Sequence, residues 1–187
     1  KPKKDKNYSL EELEQIARSV RKEIISMLER AGSGHPGGSL GLADIMTALY
    51  FSVLKHNPKK PNWSERDILV LSNGHTVPAQ YAAMALAGYF DRKELETLRK
   101  LGSRLQGHPE RVKLPGMETT SGPLGCGLSQ AIGMALAHRL NQQPYRWVYC
   151  IMGDGELNEG NVWEAAMLAP KYELYNVVGI IDRNNIQ

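Results

Sequence analysis

Three short apolar runs most constrain how this chain can fold. Residues 68–71, 147–152 and 177–182 are almost continuously apolar and too short for helices, so they predict strands buried on both faces. Segments with helical periodicity lie between them. Because strands that alternate with helices usually form parallel sheets, the sequence predicts an α/β fold, with a mostly parallel sheet flanked by helices.

The helical segments are identified by their periodicity and end signals. Ser9 and Glu12 have capping-box spacing, and apolar residues then recur until Gly32, which predicts one long amphipathic helix. Further helices are expected at residues 42–54, 79–87, 128–140 and 161–169, and a helix capped by Asp91 should carry Leu95, Leu98 and Leu101. The segments 32–41 and 102–127 are predicted loops, and a loop as long as the second usually has a function.

The charge of the chain is concentrated at its start. The 187 residues include 23 Lys and Arg against 20 Asp and Glu, and residues 1–6 alone account for the net charge of +3. Residues 1–7 are therefore predicted to be a basic disordered tail, and residues 8–187 a neutral domain. A neutral domain has no basic face for phosphates, so nucleic-acid binding is not expected.

Membrane insertion and disulfide stabilisation are also unexpected. No apolar run reaches the roughly 18 residues of a membrane span, and no secretion signal is present, so a cytoplasmic location is the default expectation. Cys126 and Cys150 lack the spacing of metal or redox sites. Both are predicted to be buried, unpaired side chains.

The most informative segment runs from Gly153 to Gly160, between a predicted strand and a predicted helix. Ligands bind at such junctions in α/β sheets, where glycines and a helix N-terminus can approach a phosphate. The spacing is not that of a dinucleotide fingerprint, and Asn161 and Val162 occupy the Lys and Ser/Thr positions of a Walker A motif. The acidic Asp154 in a phosphate-friendly turn predicts a divalent cation that bridges the protein to a phosphate.

A second oxygen ligand is expected near Asp154. Asn184 lies 30 residues further on, a separation that fits one crossover helix between neighbouring parallel strands. A carboxylate, an amide oxygen and a main-chain carbonyl form a hard-oxygen set typical of Mg²⁺ or Ca²⁺. Gly-Asp-Gly alone is more often an ordinary turn, but Asn184 at crossover spacing favours the metal site.

The segment from Gly153-Asp154-Gly155 to Asn184-Asn185 resembles the thiamine diphosphate-binding motif, and the chain resembles the transketolase family over essentially all residues after the tail. The enzyme that makes deoxyxylulose phosphate shares the metal motif, but the segment Gln106-Gly107-His108-Pro109-Glu110 and the continuation Glu159-Gly160 resemble transketolase. Four other segments occur in the family's order: Ser33-Gly34-His35-Pro36-Gly37, Leu71-Ser72-Asn73-Gly74-His75, Gln106-Gly107-His108-Pro109-Glu110 and Ser121-Gly122-Pro123-Leu124-Gly125.

The resemblance implies the diphosphate-binding domain of the thiamine diphosphate-binding fold, with thiamine diphosphate and Mg²⁺ (or Ca²⁺) as cofactors. It implies that the metal is bound by the side chains of Asp154 and Asn184 and by the main-chain carbonyl of Ile186. Cofactor contacts are implied for Gly153, Asp154, Gly155, Asn184, His75, Gly122, Pro123, Leu124 and Glu159. Glu159 has two interpretations: it complements a helix dipole, or it lies at a dimer interface that connects two active sites.

Three of the five histidines lie in these glycine-rich segments. A single histidine is more often structural, but three on such loops favour a site. The resemblance implies catalytic roles: His75 contacts the diphosphate, His108 the reacting hydroxyl of the donor, and His35 lies near the acceptor carbonyl. His56 and His138 match no motif and are predicted to be ordinary surface or helix residues. Cys126 stands where the family has Gln.

The activity implied by the resemblance is transfer of a two-carbon ketol unit from a ketose phosphate to an aldose phosphate in the pentose phosphate pathway. The chain should need a pyrimidine-binding domain or subunit, in a homodimer of the complete unit or a two-plus-two heterotetramer. The domain is expected to be incomplete at its C-terminus, as a fragment of a long enzyme or the N-terminal subunit of a split one. The alternatives are another thiamine diphosphate enzyme, such as a phosphoketolase or deoxyxylulose-phosphate synthase relative, and a non-catalytic module.

Overall fold

A three-stranded parallel sheet organises the chain, which we describe from a computed structural model over residues 8–142 and 146–185. The strands are β1 (Ile68–Leu71), β2 (Val148–Gly153) and β3 (Val177–Asp182), in the spatial order β1-β2-β3. Val70 pairs with Cys150, and Cys150 pairs with Gly179. The predicted parallel sheet is confirmed. The predicted tail, residues 1–7, lies outside the described residues, and so does Ile186.

Six α-helices surround this sheet within the described residues: α1 (Leu10–Ala31), α2 (Pro36–Gly41), α3 (Ala43–Ala48), α4 (Val77–Ala87), α5 (Gly127–Leu140) and α6 (Gly160–Lys171). The predicted capping box forms at the start of α1, where Ser9 accepts a hydrogen bond from the backbone of Glu12 and the Glu12 side chain accepts one from the backbone of Ser9. The helix ends at Gly32, which has φ of +63°. None of the described helices has the length and apolar character needed to cross a membrane.

One loop prediction and one helix prediction were wrong. The expected loop at 32–41 contains α2, because Pro36 starts a helix at its first position and the Ser39 hydroxyl donates to the carbonyl of His35 at 2.7 Å. The expected single helix at 42–54 is divided into α3 and a π-helical turn at Leu49–Val53.

The expected helix after Asp91 was also partly wrong. Asp91 does cap the segment Arg92–Thr97, but the segment is a 3₁₀-helix. Leu95 and Leu98 are buried, whereas Leu101 is fully exposed. The chain turns at Arg99, which has φ of +62°, so Leu101 cannot continue the apolar face.

The core lies on both faces of the sheet. On one face, Leu69, Leu71 and Ile151 pack with α1, α3 and α4; on the other, alternate residues of β1 and β2 pack with α5 and α6. This is the layered arrangement predicted for an α/β fold. Cys150 lies fully buried in the second layer, whereas Cys126 is only half-buried, and both are free thiols.

Candidate functional site

Four segments of the chain meet at the carboxyl edge of the sheet. The segment after β1 contains His75, the turn 121–125 precedes α5, Asp154 begins the 3₁₀ turn Asp154–Asn158 after β2, and Asn184 follows β3. The Ser121 hydroxyl donates to the carbonyl of Leu71 at 2.7 Å, which fixes the second segment to the end of β1. The four segments therefore meet at the edge where the sequence predicts a site.

Asp154 and the segment after β3 are in direct contact. The backbone N–H of Asn185 donates to Oδ2 of Asp154 at 3.0 Å, and Asn185 adopts a left-handed φ of +59°. Burial and the neighbouring Asp154 charge raise the pKa of Asp182, and a hydrogen bond with Asn184 opposes this shift. Asp154, Asp182 and Asn184 thus lie close together at the sheet edge, as the sequence predicts for the first and last of them.

No cluster of three His, Cys, Asp or Glu side chains with metal-binding geometry occurs in the part of the chain that the structure describes. The predicted set has a different composition, with one carboxylate, one amide and one main-chain carbonyl. Asp154 and Asn184 are brought together at the sheet edge, but Ile186, the predicted carbonyl ligand, is not among the described residues.

The predicted histidine cluster involves three separate segments. The ring centroids of His35 and His75 are 5.1 Å apart, with His35 at the start of α2 and His75 in the 3₁₀ turn after β1. Burial, followed by the charges of His35 and His108, lowers the pKa of His75. Partial burial, followed by the charges of Arg99 and His35, lowers the pKa of His108. A lowered pKa favours the neutral form of each ring, which can both donate and accept hydrogen bonds.

The turn before α5 presents an apolar surface beside these polar groups. Pro123 and Leu124 are exposed, Leu124 at 45%, while Gly122 is half-buried and Gly125 is buried. Gly125 has φ of +78°, and a Cβ atom there would lie 2.7 Å from Oδ1 of Asn161 and from Cβ of Glu159. Only glycine fits this junction, so the turn is held against the start of α6.

Glu159 lies at the N-cap position of α6 and is exposed. Its side chain makes no capping hydrogen bond. Gly153 and Gly155 are half-buried on either side of Asp154. All the predicted cofactor-binding residues are thus at or next to the same edge of the sheet.

Glu156 belongs to this edge as well, although no sequence pattern predicted it as a site residue. Its carboxylate is 1% exposed and accepts hydrogen bonds from the Ser72 hydroxyl at 2.5 Å, the Gly125 N–H at 2.7 Å and the Gly153 N–H at 2.8 Å. The position of Glu156, three residues after Gly153, is that of a capping-box glutamate, so the sequence could have predicted its bond with the N–H of Gly153. The other two bonds depend on tertiary structure.

The two histidines that match no motif lie away from the cluster. Nδ1 of His56 is 2.9 Å from the Tyr89 hydroxyl, and its Nε2 is 2.6 Å from the Tyr50 carbonyl. His138 lies in α5 next to Arg146, and burial followed by the Arg146 charge lowers its pKa. Both have structural contacts, as expected for residues outside the site.

These elements define a class of protein: a parallel α/β domain with a ligand site where its strands end. A sequence model described as "Transketolase, thiamine diphosphate binding domain" matches residues 13–187. The chain therefore belongs to the transketolase family and corresponds to its thiamine diphosphate-binding domain.

Individual relatives agree with this assignment. The chain is 43% identical over 176 residues to the 6-deoxy-6-sulfo-D-fructose transketolase subunit of a Clostridium species, which aligns 94% of this chain with 64% of that protein. It is 42% identical over 178 residues to one subunit of the apulose-4-phosphate transketolase of Phocaeicola vulgatus, with 95% and 63% covered. The chain thus spans less than two thirds of the length of both relatives.

A solved structure confirms the predicted fold. Transketolase from Campylobacter jejuni matches with a TM-score of 0.89 and 40% sequence identity, over 96% of this chain and 29% of that one. The three-stranded sheet and its helices therefore correspond to a part of the transketolase fold.

Proposed function

We propose that this chain supplies the diphosphate- and metal-binding part of a transketolase active site. The reaction is transfer of a two-carbon ketol unit from a ketose phosphate to an aldose phosphate. The observation that supports it most directly is the contact between Asp154 and the segment that carries Asn184, on the sheet edge where the histidine cluster also lies.

The chemistry of the residues at this edge fits thiamine diphosphate with Mg²⁺. The oxygens of Asp154 and Asn184 are the type of ligand that Mg²⁺ prefers, and the carbonyl of Ile186 would be the third protein ligand. Ca²⁺ takes the same ligand types. Asn73 is 2% exposed, yet its Oδ1 has no hydrogen-bond partner among the residues described. Such a buried acceptor suits a bound water or a ligand donor.

The remaining contacts follow from the chemistry of each side chain. His75 donates a hydrogen bond to the diphosphate, and Gly153 and Gly155 lie where backbone N–H groups can do the same. Gly122, Pro123 and Leu124 form the surface for the thiazole ring. Glu159, exposed at the start of α6, contacts a second copy of the site across a dimer interface.

The cofactor, when bound, supplies a nucleophilic carbon and an electron sink for cleavage and formation of a carbon–carbon bond. The residues of this chain bind and orient the reactants. His108 holds the reacting hydroxyl of the donor sugar, and His35 lies near the carbonyl of the acceptor. The lowered pKa of His108 favours its neutral form, which is the form that can take a proton.

A partner must complete the site. Two relatives carry the word "subunit" in their names, which supports a partner that is a pyrimidine-binding domain or subunit. The assembly is a homodimer of the complete unit or a two-plus-two heterotetramer. The substrates are sugar phosphates, and the cytoplasmic location expected from the sequence stays a prediction.

Replacement of Asp154 tests the metal assignment. In the complete protein with its partner present, Asp154→Ala should abolish Mg²⁺-dependent binding of thiamine diphosphate, measured by isothermal titration calorimetry, and leave the circular dichroism spectrum unchanged. The matched control is Asp44→Ala, which removes an exposed carboxylate that is paired with Arg21. Unchanged cofactor affinity in Asp154→Ala would contradict the assignment.

An activity assay tests the reaction itself. Xylulose phosphate with an aldose phosphate acceptor should give ketol transfer, and the rate should not depend on inorganic phosphate. Formation of acetyl phosphate from inorganic phosphate would instead indicate a phosphoketolase. Absence of both reactions together with intact cofactor binding would favour a non-catalytic module.

A further inference from the structure

Glu156 is a buried carboxylate that connects three segments of the site. It is 1% exposed, and within residues 8–142 and 146–185 it takes part in no ion pair. Its charge is stabilised by three donors, which are the hydroxyl of Ser72 and the N–H groups of Gly125 and Gly153. Burying a charge costs free energy unless its hydrogen bonds are satisfied. Because all three donors bind the same carboxylate, Glu156 fixes their positions relative to one another.

Each donor belongs to a different part of the proposed cofactor site. Ser72 lies three residues before His75, Gly125 ends the turn that contains Pro123 and Leu124, and Gly153 directly precedes Asp154. The carboxylate thus couples the histidine segment, the apolar turn and the metal turn. The three donors are separated by at least 28 residues in the chain, so no local interaction sets their relative positions.

The packing around Ser72 strengthens this connection. Its hydroxyl donates to Glu156 and also accepts a hydrogen bond from the N–H of Gly127 at 3.0 Å, at the start of α5. A Cβ atom on Gly127 would lie 2.7 Å from the backbone Cα of Ser72. Ser72 and the start of α5 are therefore closely packed, with no room even for one added methyl group.

We infer that Glu156 is a positioning residue, which aligns the Gly153–Asp154 turn and the Gly125 turn for thiamine diphosphate and its metal ion. The inference rests on the proposed function. Glu156 has no role in bond making, because its two oxygens are already occupied by protein donors. Residues behind the ligand shell commonly set ligand affinity in this way.

Glu156→Gln is the sharpest test. The Gln amide has the same shape, and its oxygen can still accept from Ser72 and Gly125, but its NH₂ group would face the N–H of Gly153, so two donors would oppose each other. The metal turn should be released while the other bonds remain. Glu164→Gln, an exposed position on α6, removes the same charge without these contacts and is the matched control.

The measurements use the complete protein with its partner, at a temperature where circular dichroism shows every variant to be folded. With thiamine diphosphate and Mg²⁺ as the probe, Glu156→Gln should raise the calorimetric dissociation constant ~10-fold or more, as substitutions behind metal ligands commonly do. Hydrogen exchange of the peptide covering 150–155 should become faster, whereas that of the peptide covering 121–127 should change little. Glu164→Gln should leave the dissociation constant and the exchange rates unchanged. The rate of ketol transfer by Glu156→Gln should recover at saturating cofactor.

The result that overturns the inference is a dissociation constant for Glu156→Gln within about twofold of wild type, even if its melting temperature falls, because that pattern means a role in stability alone. If Glu156→Gln fails to fold, Ser72→Ala decides, since it keeps the carboxylate and its bonds from the N–H groups of Gly125 and Gly153, while it removes the Ser72 bonds to Glu156 and Gly127. It should raise the dissociation constant severalfold, and unchanged affinity overturns the inference. If the wild-type protein does not bind the probe, it is the proposed function that fails.

Discussion

Replacement by alanine should have opposite effects on the stability of the fold at two glycines of helix α5. Gly127 is the first residue of α5, and a Cβ atom there would lie 2.5 Å from Oγ and 2.7 Å from Cα of Ser72. Gly133 lies in the exposed middle of the same helix, with no atom within 4 Å of the position of its Cβ. An added methyl group would therefore clash with the backbone of Ser72 at Gly127, whereas at Gly133 it would point into solvent.

The magnitudes follow from these contacts. Carbon atoms in contact normally lie about 3.5–4.0 Å apart, so Gly127→Ala must move α5 away from the end of β1 by roughly 1 Å. Overpacking of this kind costs about 1–3 kcal/mol. Weakening of the hydrogen bond from Gly127 to Ser72 adds about 0.5–1.5 kcal/mol. Gly133→Ala should instead stabilise the fold by up to about 1 kcal/mol, because alanine has the higher helix propensity.

Equilibrium urea unfolding, followed by circular dichroism and by tryptophan fluorescence, measures both effects. Gly127→Ala should lower the free energy of unfolding by about 1.5–4.5 kcal/mol, which is the sum of the packing and hydrogen-bond losses. Gly133→Ala should leave it unchanged or raise it. Equal destabilisation by both variants would refute the reasoning, since it would mean that helix position rather than the contact with Ser72 sets the outcome.

Two further predictions concern charge. Arg66→Ala leaves the largely buried carboxylate of Glu118 without its ion-pair partner, so thermal unfolding should show that the free energy of unfolding falls by about 3–5 kcal/mol. The control Arg18→Ala removes an exposed ion pair and should lower it by less than about 1 kcal/mol. Similar losses for the two variants would contradict this reasoning. The pKa of His75 is lowered by burial, so the unfolded chain binds more protons and stability should fall as the pH drops through the unfolded value of about 6.5. His75→Gln should reduce this fall in melting temperature between pH 7.5 and 5.5 without removing it, because His108 also has a lowered pKa; an unchanged pH dependence would exclude His75 as its source.

The sheet could be predicted because its signal is local. Strands β1 and β3 have the predicted bounds, and β2 is displaced by one residue at each end. Continuous apolar runs of four to six residues have few other structures available in a water-soluble fold. The proximity of Asp154 to the segment of Asn184 was predictable for a related reason, since a crossover of fixed length returns the chain to the same edge.

The features that were missed depend on tertiary contacts. The segment from Pro36 to Gly41 is rich in glycine and has the composition of a loop, but it forms α2. Packing can override such propensities. Glu156 looks like one more acidic residue in a turn, and only the folded chain brings Ser72, 84 residues away, to its carboxylate. The cost of leaving that charge unpaired cannot be read from neighbouring residues.

The parallel pairing of β1 with β2 also has a kinetic consequence. Val70 and Cys150 are partners in the sheet although 80 residues separate them in the chain. Closing so long a loop costs entropy before any pairing energy is gained, so contacts of this range form late in folding. Helices α1, α3 and α4, which lie within the first half of the chain and pack on one another, can assemble earlier. Ligand-binding competence should therefore be among the last properties that a newly made chain acquires.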